Sequence, residues 1–218
     1  MVSAKFAQNR SARYYKDVMD TELLHPTKVR LIDTVSTMLD GQSPYDILIE
    51  NVLRESEVSR GSLYYHFGDF QSVIEQTLII RFSRGVDETT AMVREAADLA
   101  TSQEDFWQRM YELTLRSQSP ELAPRRAERA RVIGMAGSNE RFGVMLAAEQ
   151  DRLNADFAAV ISEVQAKGWA RANISPHAIA LFVQAYTLGR SLDDVANNKI
   201  DPREWNDLIT LVTSTLHS

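Results

Sequence analysis

Val58-Ser59-Arg60-Gly61-Ser62-Leu63-Tyr64-Tyr65-His66-Phe67 is the stretch on which the reading of this chain turns. Just upstream, Ile49, Val52 and Leu53 hold the spacing of one apolar helix face. Val58 falls in a tight connection, and Ser59 is placed as an N-cap whose hydroxyl accepts from a free amide of the next turn. Leu63 and Phe67 lie one helical turn apart and form the buried side of a second short helix. Gly61 leaves its first turn open, and Arg60, Ser62, Tyr64, Tyr65 and His66 give the other side donors and flat rings. Two short helices joined by a tight turn, the second presenting donors outward, make a helix-turn-helix. The second helix of that unit enters the DNA major groove.

Working outward, the 218 residues suffice for one large or two small domains, and 44% hydrophobic content supports a core. No apolar run approaches a membrane span, and the N-terminus lacks the apolar centre of a secretory signal. With no cysteine, disulfides and thiolate metal sites are excluded, and a cytoplasmic protein is expected. The net charge of −6 is not the electrostatic footprint of a nucleic-acid binder. Between Pro44 and Ile80, Asp46, Glu50, Glu55, Glu57, Asp69 and Glu75 outnumber Arg54 and Arg60. Only the contacting face has to be positive.

Residues 1–26 form a leader with a basic tilt from Lys5, Arg10, Arg13 and Lys16. A first helix is expected over Thr27–Leu39, capped by Thr27 and stopped at Gly41. The head spans 27–70. A long helix follows Gly68-Asp69 towards Ala97, with Gly85 as a kink or break. Ser102 and Asp105 form a capping box that opens a further helix. Arg125, Arg126, Arg129 and Arg131 suggest a solvated basic face. A long helix is expected from Asn139 to about Lys167, ended by Gly168. Ser175-Pro176 and Asp201-Pro202 open two more. No strand alternation is present, so the fold expected is all-α, with a larger helical domain over 71–218 to which the family resemblance below assigns effector binding and dimerisation.

The segment V-S-R-G-S-L-Y-Y-H-F resembles the recognition-helix signature of the TetR family of transcriptional regulators. The resemblance implies that Ser59 caps the helix, that Arg60, Gly61, Ser62, Tyr64, Tyr65 and His66 form the DNA side, and that Leu63 and Phe67 are core. Arg60 would meet a guanine edge. It further implies a homodimer on a palindromic double-stranded operator and release by a small-molecule effector, largely apolar in character. Methionines among aromatics suit a reshapable pocket, and its expected lining is Phe82, Phe106, Trp107, Met110, Tyr111, Met135, Phe142 and Met145. Glu149, Asn154 and Arg131 are candidate polar contacts. The dimer bundle expected by this resemblance uses Leu153, Phe157, Val160, Ile161 and Val164 against Phe182, Ala185, Tyr186 and Gly189.

Three departures from the family pattern remove phosphate contacts: Leu48 in place of a threonine, Glu57 in place of a turn glycine, and Phe70 in place of a lysine. They leave open a second reading, a regulator-like fold whose head no longer reads DNA and which serves as a small-molecule or protein binding module. An enzyme is not expected. His25, His66, His177 and His217 lack metal-ligand spacing, and no catalytic residue, metal or cofactor is assigned.

Overall fold

The computed structural model describes residues 25–217, so the basic leader lies almost wholly outside the described residues. Among them are ten α-helices, one short 3-10 turn at Pro120–Leu122, and no strand. The helices are α1 (Pro26–Leu39), α2 (Ile49–Ser56), α3 (Arg60–Phe67), α4 (Phe70–Leu99) and α5 (Gln103–Ser117). Then come α6 (Ala123–Ala136), α7 (Glu140–Ala166), α8 (Pro176–Gly189), α9 (Ser191–Asp194) and α10 (Pro202–Ser214). None is long and apolar enough to cross a membrane.

The chain divides into two compact units, Met1–Phe82 and Ser83–Ser218. The first turns of α4 therefore go with the head, whereas the sequence reading put the boundary after residue 70. Their side chains explain why: Val73, Ile74, Leu78, Ile79 and Phe82 are all buried, and so could not be left as a free connecting rod. In this unit α1 packs on both α2 and α3. Leu31, Val35, Val52 and Leu63 are fully buried and make its core. Arg81 ties α4 back to α1, donating to the Ser36 carbonyl at 2.8 Å and to Asp40 at 2.8 Å.

Local chemistry moved some helix starts. Proline lacks an amide to donate and has its φ already set for a first helical residue. Accordingly Pro26 opens α1 instead of closing the leader, and His25, not Thr27, is the cap. His25 Nδ1 accepts from the Thr27 amide at 3.2 Å. Gly85 does not break α4, which runs continuously through it from Phe70 to Leu99. Ser102 caps α5 as expected, accepting from the Asp105 amide at 3.1 Å. The Asp105 carboxylate reaches one residue further back, to the Thr101 amide at 3.0 Å. Ser175 stands at the N-cap of α8 but its hydroxyl makes no cap bond.

In the larger unit, α7 packs along α8, with α6 against both. Its core gathers Val93, Phe106, Phe157, Val160, Ile161 and Ile179. The arginine run of α6 is not simply a solvated face. Arg126 is buried on Asp194, and Arg129 turns inward to donate to Gln184 Oε1 at 2.8 Å. Burial pushes the Arg129 guanidinium below its usual value. Where α6 meets α7, a Cβ on Gly143 would lie 2.9 Å from the Ala136 carbonyl oxygen. That oxygen is backbone and cannot swing aside. Gly143→Ala should therefore destabilise the chain by about 1–3 kcal/mol. Urea unfolding of the variant checks this, and an unchanged midpoint would show the α6–α7 junction to be slack.

Candidate functional site

The recognition helix α3 is built as its sequence dictates. Ser59 is extended at the N-cap, and its Oγ accepts from the Ser62 amide at 3.1 Å. Leu63 and Phe67 are buried. Arg60, Gly61, Tyr64 and Tyr65 are exposed on the other side, Tyr65 at 86% of its full surface. An exposed tyrosine flush with a helix surface supplies a flat ring and a donor, both useful against bases and phosphates.

Two residues of that set are otherwise engaged. Ser62 Oγ lies 2.9 Å from Ser59 Oγ and is half-buried, so its hydroxyl serves the cap. His66 packs on His25 with the rings tilted by 34° and centroids 4.4 Å apart, and it meets Tyr65 edge-on. Desolvation pushes the His66 imidazole down, and the charges of His25 and Lys28 add to that. Lys28 also sits over the Phe67 ring at 5.3 Å. Sequence reading had no means to bring the start of α1 beside the end of α3.

A histidine whose pKa is depressed in the fold binds fewer protons there than in the unfolded chain. Stability therefore falls as pH drops through the ordinary imidazole value of about 6.5. The head should accordingly unfold more readily at pH 5.5 than at 7.5, and His66→Gln should flatten that part of the profile. Urea melts at the two pH values decide it; a slope that persists in the variant assigns the effect elsewhere.

The acidic groups are also placed. Glu75 is buried within the head unit and so is not on the exposed surface beside α3. Glu50 is the acid that matters: Arg60 Nη2 donates to its Oε1 at 3.0 Å. Leu48 caps α2 without any side-chain bond and is 58% exposed. Asp69 opens α4 by accepting from the Ser72 amide at 2.6 Å, with Phe70 as the first helical residue.

Glu57 adopts the left-handed conformation, φ 53°, that a turn glycine takes without strain. For an L residue this costs about 1–2 kcal/mol, offset in part by the extra freedom glycine has when unfolded. Glu57→Gly should stabilise the head by roughly 0.5–1 kcal/mol. It should also strengthen any phosphate contact by removing a negative charge. A thermal midpoint below wild type would contradict the strain argument.

The larger unit holds a cavity of about 80 Å³. Phe106, Trp107, Met110 and Tyr111 line it, four of the eight residues expected of a pocket. Phe82 belongs instead to the first unit, and Met135 and Phe142 are buried but do not line the cavity, nor does Met145. The lining that sequence reading missed includes Thr114, Ile179, Val183, Ile209 and His217. Trp107 is fastened in place: its Nε1 donates to the Trp169 carbonyl at 2.8 Å, and its ring stacks on His217 at 4.1 Å.

The expected dimer surface needs the largest correction. Leu153, Phe157, Val160, Ile161 and Val164 are all buried within the subunit. Their stripe packs inward because α7 needs its large apolar face to close the monomer's own core. Ile161 and Tyr186 also line the cavity, and Tyr186 Oη pairs with Thr114 Oγ1 at 3.3 Å. Gly189 is half-buried, which leaves Phe182 and Ala185 as the exposed residues of the set.

The polar candidates were likewise redistributed. Glu149 is buried, accepting from Ser83 Oγ at 2.9 Å and from Arg152 Nε at 3.2 Å. Asn154 accepts from Gln150 at 2.8 Å and from Gln184 at 2.9 Å. Arg131 is exposed. Among the described residues no group of three or more His, Asp or Glu is arranged to hold a metal ion.

By sequence, no protein-family model and no curated protein matches the chain. By structure, it is similar to a protein of Rhodococcus sp. assigned to the TetR family of transcriptional regulators. The TM-score is 0.62 at 18% identity, over 88% of this chain and 98% of that one. A Mesorhizobium loti protein with the same assignment matches at TM-score 0.64 and 13% identity, over 87% and 94%. A transcriptional regulator from Saccharomonospora viridis, solved in complex with choline, matches at 0.61 and 14%, over 88% and 97%. The helix-turn-helix head, the helical second unit and these likenesses together show that the chain has the fold of the TetR-family transcriptional regulators.

Proposed function

We propose that the protein is a dimeric, ligand-responsive DNA-binding transcriptional regulator, a repressor released from a palindromic operator by a small-molecule effector. The observation that carries this is α3, capped by Ser59 and buried through Leu63 and Phe67, with Arg60, Tyr64 and Tyr65 presented outward. These three are the residues proposed to read DNA, with Gly61 admitting close approach; Ser59, Ser62 and His66 hold the helix in place. An effector moves the equilibrium only by its differential affinity for the bound and released states, about 5.5 kcal/mol for a full switch from 1:99 to 99:1. The choline complex of the Saccharomonospora viridis neighbour is a precedent for small-molecule binding on this fold.

The proposed dimer surface differs from the one read off the sequence. On α8, Leu181, Phe182 and Ala185 are exposed. On α7, Val144, Ala148, Ala155 and Ala159 are exposed at spacings that share one helical face. Alanines let two backbones approach closely, and the larger side chains supply buried area. Two heads so joined would read half-sites about 34–36 Å apart. Leu181→Glu with Ala185→Glu should give a monomer in sedimentation equilibrium that has lost operator binding. A dimer that survives both changes would place the interface elsewhere.

A second reading is favoured by the head's own chemistry. Glu50 occupies Arg60, Leu48 offers no phosphate donor, and Glu57 adds negative charge beside α3. On that reading the head is silent and the larger unit alone carries the function.

A further inference from the structure

The cavity in the larger unit has a chemistry specific enough to name what it holds. None of its lining residues is an acid, a lysine or an arginine. The hydroxyl protons of its threonines on α10 are already used: Thr210 Oγ1 donates to the Asn206 carbonyl at 2.8 Å, and Thr213 Oγ1 to the Ile209 carbonyl at 2.9 Å. The rest of the lining is ring and alkyl surface, the Tyr111 phenol, the His217 imidazole and one hydroxyl pair, Thr114 Oγ1 and Tyr186 Oη. They stand 3.3 Å apart, beyond the usual hydroxyl–hydroxyl distance of about 2.7–2.8 Å. Burial pushes the Tyr186 phenol up, so it stays a neutral donor. One hydrogen bond between the two hydroxyls leaves one donor and one acceptor position for a third.

The cavity also has an approach. A groove of about 790 Å³ lies outside it and shares Trp107, Tyr111, Thr210 and His217 with it. Those four side chains are the partition between the two spaces. Glu104 and Asp207 border the groove, so an anion would be repelled before it reached the partition. Trp107 is pinned by its hydrogen bond to Trp169, whereas among the described residues the His217 ring is held by stacking and by its backbone. That backbone is fixed by Arg171, whose Nε donates to the His217 carbonyl at 3.1 Å and whose amide donates to the Leu216 carbonyl at 2.9 Å. A cavity that holds benzene measures about 150 Å³. The inner space at about 80 Å³ is therefore too small for a ring until the partition moves.

We infer that this cavity binds a small, uncharged, ring-sized molecule bearing one hydroxyl, a phenol in its simplest form, admitted when the His217 ring rotates off Trp107. The inference rests on reading this unit as the effector-binding domain, and it names the effector's class. The ring fills the space among Phe106, Met110 and Ile179, and the hydroxyl bridges Thr114 and Tyr186. A charged group there would be stripped of water with no countercharge to meet it.

Calorimetry on the full chain, without DNA, tests this with phenol, toluene, benzoate and benzylamine as probes. Phenol should bind, toluene roughly tenfold more weakly for want of the hydrogen bonds, and the two ions not measurably. Tyr186→Phe and Thr114→Val should each bring phenol down towards toluene while leaving toluene unchanged. His217→Ala should speed association in stopped-flow tryptophan fluorescence, with the fold checked by its thermal melt. Absence of phenol binding, equal binding of benzoate or benzylamine, or variants that keep the phenol preference would overturn the inference. Failure here alongside an enriched operator would leave the regulator reading standing. Phenol binding with no operator would leave the cavity's chemistry standing and remove the DNA-reading function.

Discussion

Asp194→Ala should cost the larger unit about 3–5 kcal/mol, because it strands a buried guanidinium. Only 5% of the Arg126 side chain is exposed, and it grips both oxygens of Asp194, Nε at 2.7 Å and Nη2 at 2.9 Å. Its Nη1 also donates to the carbonyls of Ser117 at 2.7 Å and Ser119 at 3.1 Å. One arginine thus fastens α9 and the end of α5 to the start of α6. With the carboxylate gone, the charge stays buried among carbonyls that cannot neutralise it. Replacing both partners by apolar residues, Arg126→Met with Asp194→Leu, should lie far closer to wild type, since no charge is then left behind.

The same pair sets an acid limit. Hydrogen bonds from Arg126 hold the Asp194 carboxyl below its usual value; burial opposes this, and the charges of Arg126, Arg190 and Lys199 reinforce it. A carboxyl with a depressed folded pKa stabilises the fold fully above its unfolded value of about 3.9. That contribution is lost as pH falls through the folded value. Urea unfolding from pH 7 down to pH 2.5 should show the acid limb in wild type and a smaller one in the double apolar variant. An equal limb in both would show that other carboxyls carry it.

Arg60→Ala should reduce affinity for a selected operator by roughly 1.5 to 4 orders of magnitude, counting a guanine contact of about 1–3 kcal/mol in each of two heads. Glu50→Gln should act in the opposite direction on general affinity. In the free protein Glu50 occupies the Arg60 guanidinium at 3.0 Å, and DNA must displace or share it. The pair is exposed, so its own strength is small and the exchange is inexpensive. If Glu50 instead orients Arg60 for its base, the glutamine variant will bind random duplex better and its operator worse. Anisotropy titrations of both variants on operator and random duplex separate these effects.

The head was legible because its signals are local. Ser59 and the Leu63/Phe67 spacing each act within a turn of helix, and the structure places each where the sequence implied. The α7–α8 pair was legible as helices but not as faces. The stripe Leu153, Phe157, Val160, Ile161 and Val164 marks a buried side without saying whether the neighbour is the same subunit or another. The exposed alanines opposite it carry no amphipathic signal at all. The cavity was half legible for a related reason: aromatics on α5 stand out in one window, but Ile179, Ile209 and His217 come from distant segments that only the fold brings together. Arg126 looked like a surface charge because its partner, Asp194, is far along the chain.

Selection of binding sites from random duplexes by the full-length protein, read by fluorescence anisotropy with a salt titration on any enriched site, tests the central claim most directly. The account predicts an enriched palindrome with half-sites about one helical turn apart, and affinity that falls steeply as salt rises. No enrichment at low salt, from a protein shown by sedimentation to be a folded dimer, would contradict it and leave the larger unit as the seat of function.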